Sequence, residues 1–508
     1  MAEKLTYAQN LAVTNRGGKL LVSAAAGSGK TKVLVDRLIR YLTDPVQPAN
    51  IDDFLIITYT KAAAAELRGK IAGKISEHIA QDPGNRHLQR QMQRLYLAKI
   101  STVHAFCADI LREYAYRLDL TPDFRVADEN ESIHLRGRAM EAVLEVAYSQ
   151  IGENSEFRSF MDTQGLGRTD ALVPELIEQV YDSAMCHLNP KQWMNRCVED
   201  LSACEDPLDT PWGRYLTEML FHTLDGYISA LERCCSLLNP LEGMEKPITV
   251  LSSAISQMKV LRASKTWDEI VSNKNIDYGR LVFAKKYDVP EITDQIKAVR
   301  MACREALDKK LRWFSDPAER VQEDLRQSYP AAKGLIQLVE AFSEEYRRLK
   351  RNARVLDFSD LEHRTLDLLW GKSRTGPTAV ADEVAKRYRE IMVDEYQDSN
   401  SVQDAIFEAL TKMKNNLFMV GDVKQSIYQF RLADPGIFLE KYSTYLPAEI
   451  AQPGEGRKIL LSRNFRSSAG VISAVNDVFR DCTSSSIVSM WLAFIVSTFL
   501  KDAIASSI

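Results

Sequence analysis

Apolar and polar positions follow one another along this chain in two ways. Short, nearly continuous apolar runs stand at Lys19–Val22, Phe54–Thr58, Glu390–Val393, Leu417–Val420 and Lys458–Leu461. Runs of this length read as buried strands. The first four end in polar or glycine-bearing elements, "AAAGSGKT", "TYTKAAAAEL", "DEYQDSN" and "GDVKQSIY", and the fifth ends in "SRNFRSS". After the first run, Val33, Leu34, Val35, Leu38 and Ile39 fit the inner face of a helix. In a parallel α/β sheet ligands sit at the carboxyl ends of the strands, so chemistry is expected in these polar elements.

Between about residues 111 and 350 the pattern changes. Leucine, alanine, glutamate and arginine recur at helical spacing, as in "GRAMEAVLEVAYSQI" and "GLIQLVEAFSEEYRRLKR", with few strand signals. An all-helical insertion into an α/β domain is expected there.

The first polar element maps onto the phosphate-loop pattern GxxxxGK[ST] from Ala24 to Thr31, with Ala24 where a glycine is usual. Gly27 and Gly29 can supply the tight turn, Lys30 can reach β- and γ-phosphates, and the Thr31 hydroxyl can ligate Mg²⁺. A small-residue turn in a Rossmann-like unit is the alternative. The third run delivers Asp394 and Glu395 side by side, as a Mg·ATP site needs: one acid for the metal, the next to polarise the attacking water. A strand ending at a polar turn would look the same. In the fourth element Gln425 could sense a γ-phosphate, while Tyr428 and Phe430, like Tyr59 after the second run, could stack on bases or pack in a core.

Composition adds limits. With 508 residues, 45% hydrophobic and 26% charged, the chain has ordinary globular character and room for about three domains. Its net charge of −4 announces no nucleic-acid partner, so any such surface must be local. Residues 61–118 hold ten Lys/Arg against five Asp/Glu, which fits a phosphate-tracking surface or a solvated helix face. The eight cysteines form no CxxC pair, which predicts free thiols and no structural metal. With no export signal, a cytoplasmic location is expected.

Taken in order, "YAQNLAV", "AAAGSGKT", "TYTKAAAAELRGKI", "STVHAFC", "DEYQD", "GDVKQSIYQFR" and "LSRNFRSS" resemble the motifs of superfamily 1 DNA helicases of the UvrD-like type. "SAAAGSGKT" and "RLADP" resemble the A subunit of the bacterial AddAB (RexAB) helicase–nuclease in particular, and the likeness runs over about residues 3–480. It implies an α/β fold: a RecA-like P-loop NTPase motor domain with a parallel sheet (1–110 and 351–425), the helical insertion (111–350) and the start of a second RecA-like domain (426–480). It implies ATP and Mg²⁺ as cofactors, single- and double-stranded DNA as substrates, and an AddB/RexB-type partner subunit without membrane attachment.

Residue by residue, the resemblance gives Gln9 to adenine, and Ala24, Ala25, Ala26, Gly27, Ser28, Gly29, Lys30 and Thr31 to the phosphates, Thr31 also to Mg²⁺. Asp394 becomes a metal ligand and Glu395 the general base. Gln425 and Arg466 meet the γ-phosphate, Arg466 as an arginine finger. Tyr59, His104, Tyr428 and Phe430 face single-stranded DNA, and Arg431 couples DNA to nucleotide. The implied activity is a 3′-to-5′ helicase motor in double-strand-break repair.

Residues 481–508 depart from the family pattern, and the apolar part, Ile487–Leu500, is shorter than the roughly 20 residues of a spanning helix. A truncated or frame-shifted end is expected rather than a membrane anchor. Two other readings stay open: a fragment that binds ATP and single strands without productive turnover, and an unrelated P-loop enzyme such as a small-molecule kinase.

Overall fold

The computed structural model describes residues 5–164, 172–202, 205–283, 289–427 and 433–482. Nine strands occur among them: β1 (Leu20–Ala24), β2 (Phe54–Thr58), β3 (Lys99–Thr102), β4 (Arg125–Val126), β5 (Val355–Leu356), β6 (Glu390–Val393), β7 (Leu417–Gly421), β8 (Leu446–Pro447) and β9 (Arg457–Leu461). Seven form one sheet in the order β3-β2-β6-β7-β1-β9-β8, and every pairing in it is parallel. β4 and β5 make a separate parallel pair.

The apolar runs are explained by what covers the sheet. Leu21, Leu55, Ile57, Ile391, Val393, Leu417 and Met419 point into one core, against helices Val103–Glu113, Phe358–Trp370 and Ser401–Thr411. The alternate residues Leu20, Val22, Phe54, Ile56, Met392, Phe418 and Val420 enter the other, against helices Lys30–Leu42 and Lys61–Gln81. A strand buried on both faces tolerates no polar alternation, so its sequence is apolar throughout. Because the strands are parallel, Ala24, Thr58, Val393, Gly421 and Leu461 all end on one edge of the sheet.

The chain divides into two compact units. The first holds the sheet and comprises the described residues of 1–148, 177–193 and 338–469. The second comprises the described residues of 149–176 and 194–337, with those from Gly470 on. Its core gathers Leu220, Leu224, Leu231, Met258, Leu261 and Leu307 from three long helices around Trp267, whose indole Nε1 donates to the Asp316 carbonyl at 2.9 Å. The expected insertion of 111–350 is therefore wider than the helical unit. Helical periodicity announces a helix but not which core its apolar stripe faces.

Within the stretch 426–480, where the start of a second motor domain is expected, β8 and β9 lie in the seven-stranded sheet. β9 pairs with β1, Leu20 opposite Arg457 and Ala24 opposite Leu461, and so completes the first sheet. No helix among the described residues is long and apolar enough to cross a membrane.

One ion pair ties this sheet together. Arg37 donates from Nε and Nη2 to the two carboxylate oxygens of Glu390 at 2.8 and 2.5 Å, and from Nη1 to the carbonyls of Ala12 and Asn15. The two side chains are 1% and 4% exposed. Removing one partner of so buried a pair strands the other charge, so Glu390→Ala is expected to lose about 3–5 kcal/mol of unfolding free energy. Urea unfolding measures this; a loss below about 1 kcal/mol, the value of a surface pair, would mean that water solvates the guanidinium.

Candidate nucleotide and nucleic-acid site

β1 delivers Ala24 to the sheet edge, and the chain then turns through Ala25–Gly29 into helix Lys30–Leu42. The turn depends on Gly27 at φ +71° and Gly29 at φ +88°, a region that side chains other than glycine's rarely adopt. Both glycines are also crowded. A Cβ on Gly27 would lie 2.8 Å from Arg466 Cβ, and one on Gly29 would lie 3.1 Å from Gln9 Nε2. Gln9 is buried beside the loop and donates from Nε2 to the Ser28 carbonyl at 3.0 Å. The Ser28 hydroxyl is buried with no hydrogen-bond partner among the described residues.

Lys30 opens the helix, and its Nζ lies between two acceptors: Glu395 Oε2 at 2.6 Å and Gln425 Oε1 at 3.1 Å. Lys30 is 11% exposed and Glu395 41%. Thr31 follows, half-buried, in the first turn. Asp394 follows β6 in a buried position, where desolvation and then the neighbouring Glu395 carboxylate push its carboxyl up to about 6. Glu395 takes a left-handed backbone, φ +52°, which turns its side chain away from the strand direction. Gln397 steadies it from Nε2 at 2.9 Å and accepts the Asp422 N–H at 2.9 Å, while Gln425 donates to Asp422 Oδ2 at 2.7 Å.

The element after β9 is stapled onto the phosphate loop. Ala25 N donates to the Leu461 carbonyl at 2.9 Å, Phe465 N to the Gly27 carbonyl at 2.8 Å, and Asn464 Nδ2 to the Ala26 carbonyl at 2.8 Å. The Asn464 Oδ1 in turn accepts the N–H groups of Arg466 and Ser467. Arg466 is thereby held beside Gly27 with its side chain exposed. The structure thus brings Gln9, Ala24–Thr31, Asp394, Glu395, Gln425 and Arg466 to one place. Sequence reasoning misses Gln397 and Asn464, although both stand inside the quoted elements "DEYQD" and "SRNFRSS".

Of the residues expected to face DNA, two are described. Tyr59 follows β2, half-buried, and its hydroxyl is hydrogen-bonded to Ser399 Oγ. Burial pushes that phenol well above its ordinary range. His104 lies in the first turn of helix Val103–Glu113, its ring 4.5 Å from that of Phe358, which is 58% exposed. Its Nε2 is 2.9 Å from Glu362 Oε1. Glu362 is buried and also accepts from Asn400 and Gln403, at 3.1 and 2.6 Å. Burial alone would raise this carboxyl, but the bonds from His104, Gln403 and Asn400 hold it below the ordinary range. Tyr428, Phe430 and Arg431 lie outside the described residues.

The basic stretch 61–118 fits a solvated face better than a phosphate track. Lys70, Lys74 and Lys99 pair with Glu66, Glu77 and Asp109, and Arg94 with Asp52. Arg68 is held by the carbonyls of Leu95, Ala98 and Ile100.

The chain is similar to proteins named as the A subunit of an ATP-dependent helicase/nuclease. It is 38% identical to that of Pelotomaculum thermopropionicum over 96% of this chain and 39% of the relative. For Clostridium novyi the identity is 34%, over 95% and 40%, and for Desulforamulus reducens 38%, over 94% and 39%. The chain thus spans about two fifths of the length of these curated relatives. The family model described as the UvrD/REP helicase N-terminal domain matches residues 5–446, which takes in the phosphate loop, the paired carboxylates and Gln425. On that match, and on a sheet that assembles these elements at one edge, the chain belongs to the UvrD/REP helicase family.

Proposed function

We propose that this chain binds ATP with Mg²⁺ at the sheet edge and couples its hydrolysis to 3′-to-5′ movement along DNA. In this reading it is the motor portion of a helicase–nuclease that works with an AddB/RexB-type partner in double-strand-break repair. The observation that carries the nucleotide half is Lys30 Nζ held between Glu395 Oε2 and Gln425 Oε1, three groups from three strand ends.

The residues suit the cofactor. The loop offers a Lys ammonium, a helix N-terminus and an unpartnered Ser28 hydroxyl to phosphate oxygens. Thr31 and Asp394 would hold Mg²⁺; both offer oxygen, and Mg²⁺ takes few protein ligands because it keeps waters and nucleotide phosphates. Bound Mg·ATP supplies the γ-phosphoryl group that passes to water. Lys30 balances the phosphate charge, Glu395 takes the proton of the attacking water, and Gln425 and Arg466 contact the γ-phosphate from two further elements. Gln9, fixed over Ser28, reads adenine. Gln397 and Asn464 are positioning residues, one for Glu395 and one for Arg466 with the loop.

Tyr59 and His104 are proposed to face single-stranded DNA, with Tyr428, Phe430 and Arg431 completing the path. The test is ATP hydrolysis by this chain with and without single-stranded DNA; stimulation by the strand supports coupling. Equal rates in its presence and absence would favour the small-molecule P-loop enzyme, and a single turnover without steady hydrolysis would favour the binding fragment. His104→Ala is expected to weaken single-strand affinity by about 1–3 kcal/mol, the value of one base stack, with Tyr59→Ala behaving alike. A drop in melting temperature with unaltered affinity per folded molecule would instead assign these rings to packing.

A further inference from the structure

The edge of the sheet opposite the nucleotide site carries a second feature, independent of the function proposed above. There, at the amino ends of β1, β6, β7 and β9, a cleft of about 300 Å³ is lined by Arg16, Gly18, Tyr41, Arg389, Lys414 and Asn416, with Asp44 and Glu390. Arg16 lies over Tyr41, its guanidinium carbon 3.7 Å from the ring centre, and Arg389 approaches the same ring at 5.1 Å. A Cβ on Gly18 would sit 2.6 Å from Nη2 of Arg457 behind it, so a side chain there would displace that guanidinium.

These cations outnumber the carboxylates of the cleft, Asp44 and Glu390, which act on Arg389 and Arg16 without an ion pair. Glu390 is already engaged by Arg37 and Tyr41, and one oxygen of Asp44 accepts the N–H groups of Val46 and Gln47. Arg16, Arg389, Lys414 and Arg457 form no ion pair among the described residues; their bonds run to backbone carbonyls, those of Val13, Gln47, Tyr388 and Arg16 among them. Arg457 stands behind Gly18, outside the lining of the cleft; it is 7% exposed, and its Nε and Nη2 have no hydrogen-bond partner among the described residues. Burial, with Arg37 close by, pulls the Arg16 guanidinium down to about 10. The guanidinium groups of Arg16 and Arg389, which face the cleft without an ion pair among the described residues, are planar forks that match the oxygens of a tetrahedral oxyanion.

We propose that this cleft binds a free phosphate-class oxyanion, inorganic phosphate or pyrophosphate, between Arg16 and Arg389, in the field of Lys414 and Arg457. The site lies at the far ends of the strands from Lys30, so the two can be separated by mutation.

Titration calorimetry and thermal melting with inorganic phosphate and with pyrophosphate, at ionic strength matched by chloride, test the assignment on the whole chain and on Lys30→Ala. Binding is expected to survive in Lys30→Ala and to weaken by roughly tenfold or more in Arg16→Gln and in Arg389→Gln. Arg389→Gln is the safeguard for folding, since the Arg389 side chain makes a single hydrogen bond, to the Gln47 carbonyl, among the described residues. Binding lost in Lys30→Ala but kept in both glutamine variants would place the anion in the phosphate loop and overturn the proposal. So would absence of binding, or equal stabilisation by chloride. Displacement of phosphate by a duplex oligonucleotide at equal phosphate concentration would assign the cleft to nucleic acid and overturn it as well.

Discussion

Lys30→Ala is expected to reduce ATP hydrolysis by at least about a hundredfold while leaving single-strand binding and the melting temperature nearly unchanged. The ammonium stands at the helix start between Glu395 and Gln425, and removing a preorganised charge of this kind costs about 10²–10³ in rate. Stability is spared because its partner Glu395 is 41% exposed and is left to water and Gln397. Steady-state hydrolysis and thermal unfolding on one preparation check both halves. Undiminished turnover would sink the phosphate-loop assignment, and a collapse of the melting temperature would make Lys30 a structural residue.

Glu395→Gln should bind nucleotide as tightly as the parent and turn it over about 10²–10⁴-fold more slowly, the usual contribution of a general base. The amide keeps the shape that the left-handed backbone at Glu395 directs into the site, and it can still accept from Lys30 and Gln397. It cannot take a proton from water. Nucleotide affinity and single-turnover hydrolysis, measured side by side, separate binding from chemistry. Normal turnover would move the base elsewhere, with Asp394 the neighbouring carboxylate. Lost affinity would mean that the negative charge, rather than the basicity, organises the site.

Both expectations rest on residues visible in the sequence, and the reason is physical. β2, β6 and β7 are buried along their whole length, so "FLIIT", "EIMV" and "LFMVG" stand out as unbroken apolar runs. β3, "KIST", and β8, "LP", lie at the sheet edges, are partly or wholly exposed, and leave no such trace. The phosphate loop is legible because glycine and lysine must stand at fixed spacing. The contact between Lys30 and Glu395 spans 365 residues, and no periodicity reports it. The same holds for His104 and Glu362, whose partnership depends on how two helices cross one face of the sheet. The run at Lys458–Leu461 is legible as a strand, but its partner is not, because a run carries no record of which sheet it joins.

The staple between Asn464, Phe465 and the phosphate loop has a consequence during synthesis. A loop that begins at Ala24 obtains its last hydrogen bonds from residues 461–465, the side-chain bond to Ala26 spanning 438 positions. At a translation rate of about 5–20 residues per second, the ribosome needs roughly 20–90 s to travel that distance. For most of that interval β1 lacks both of its neighbours, β7 and β9, so both its edges are open, and the loop lacks the asparagine that braces it. An unfinished chain is thus expected to bind nucleotide poorly and to expose the unpaired edges of an apolar strand.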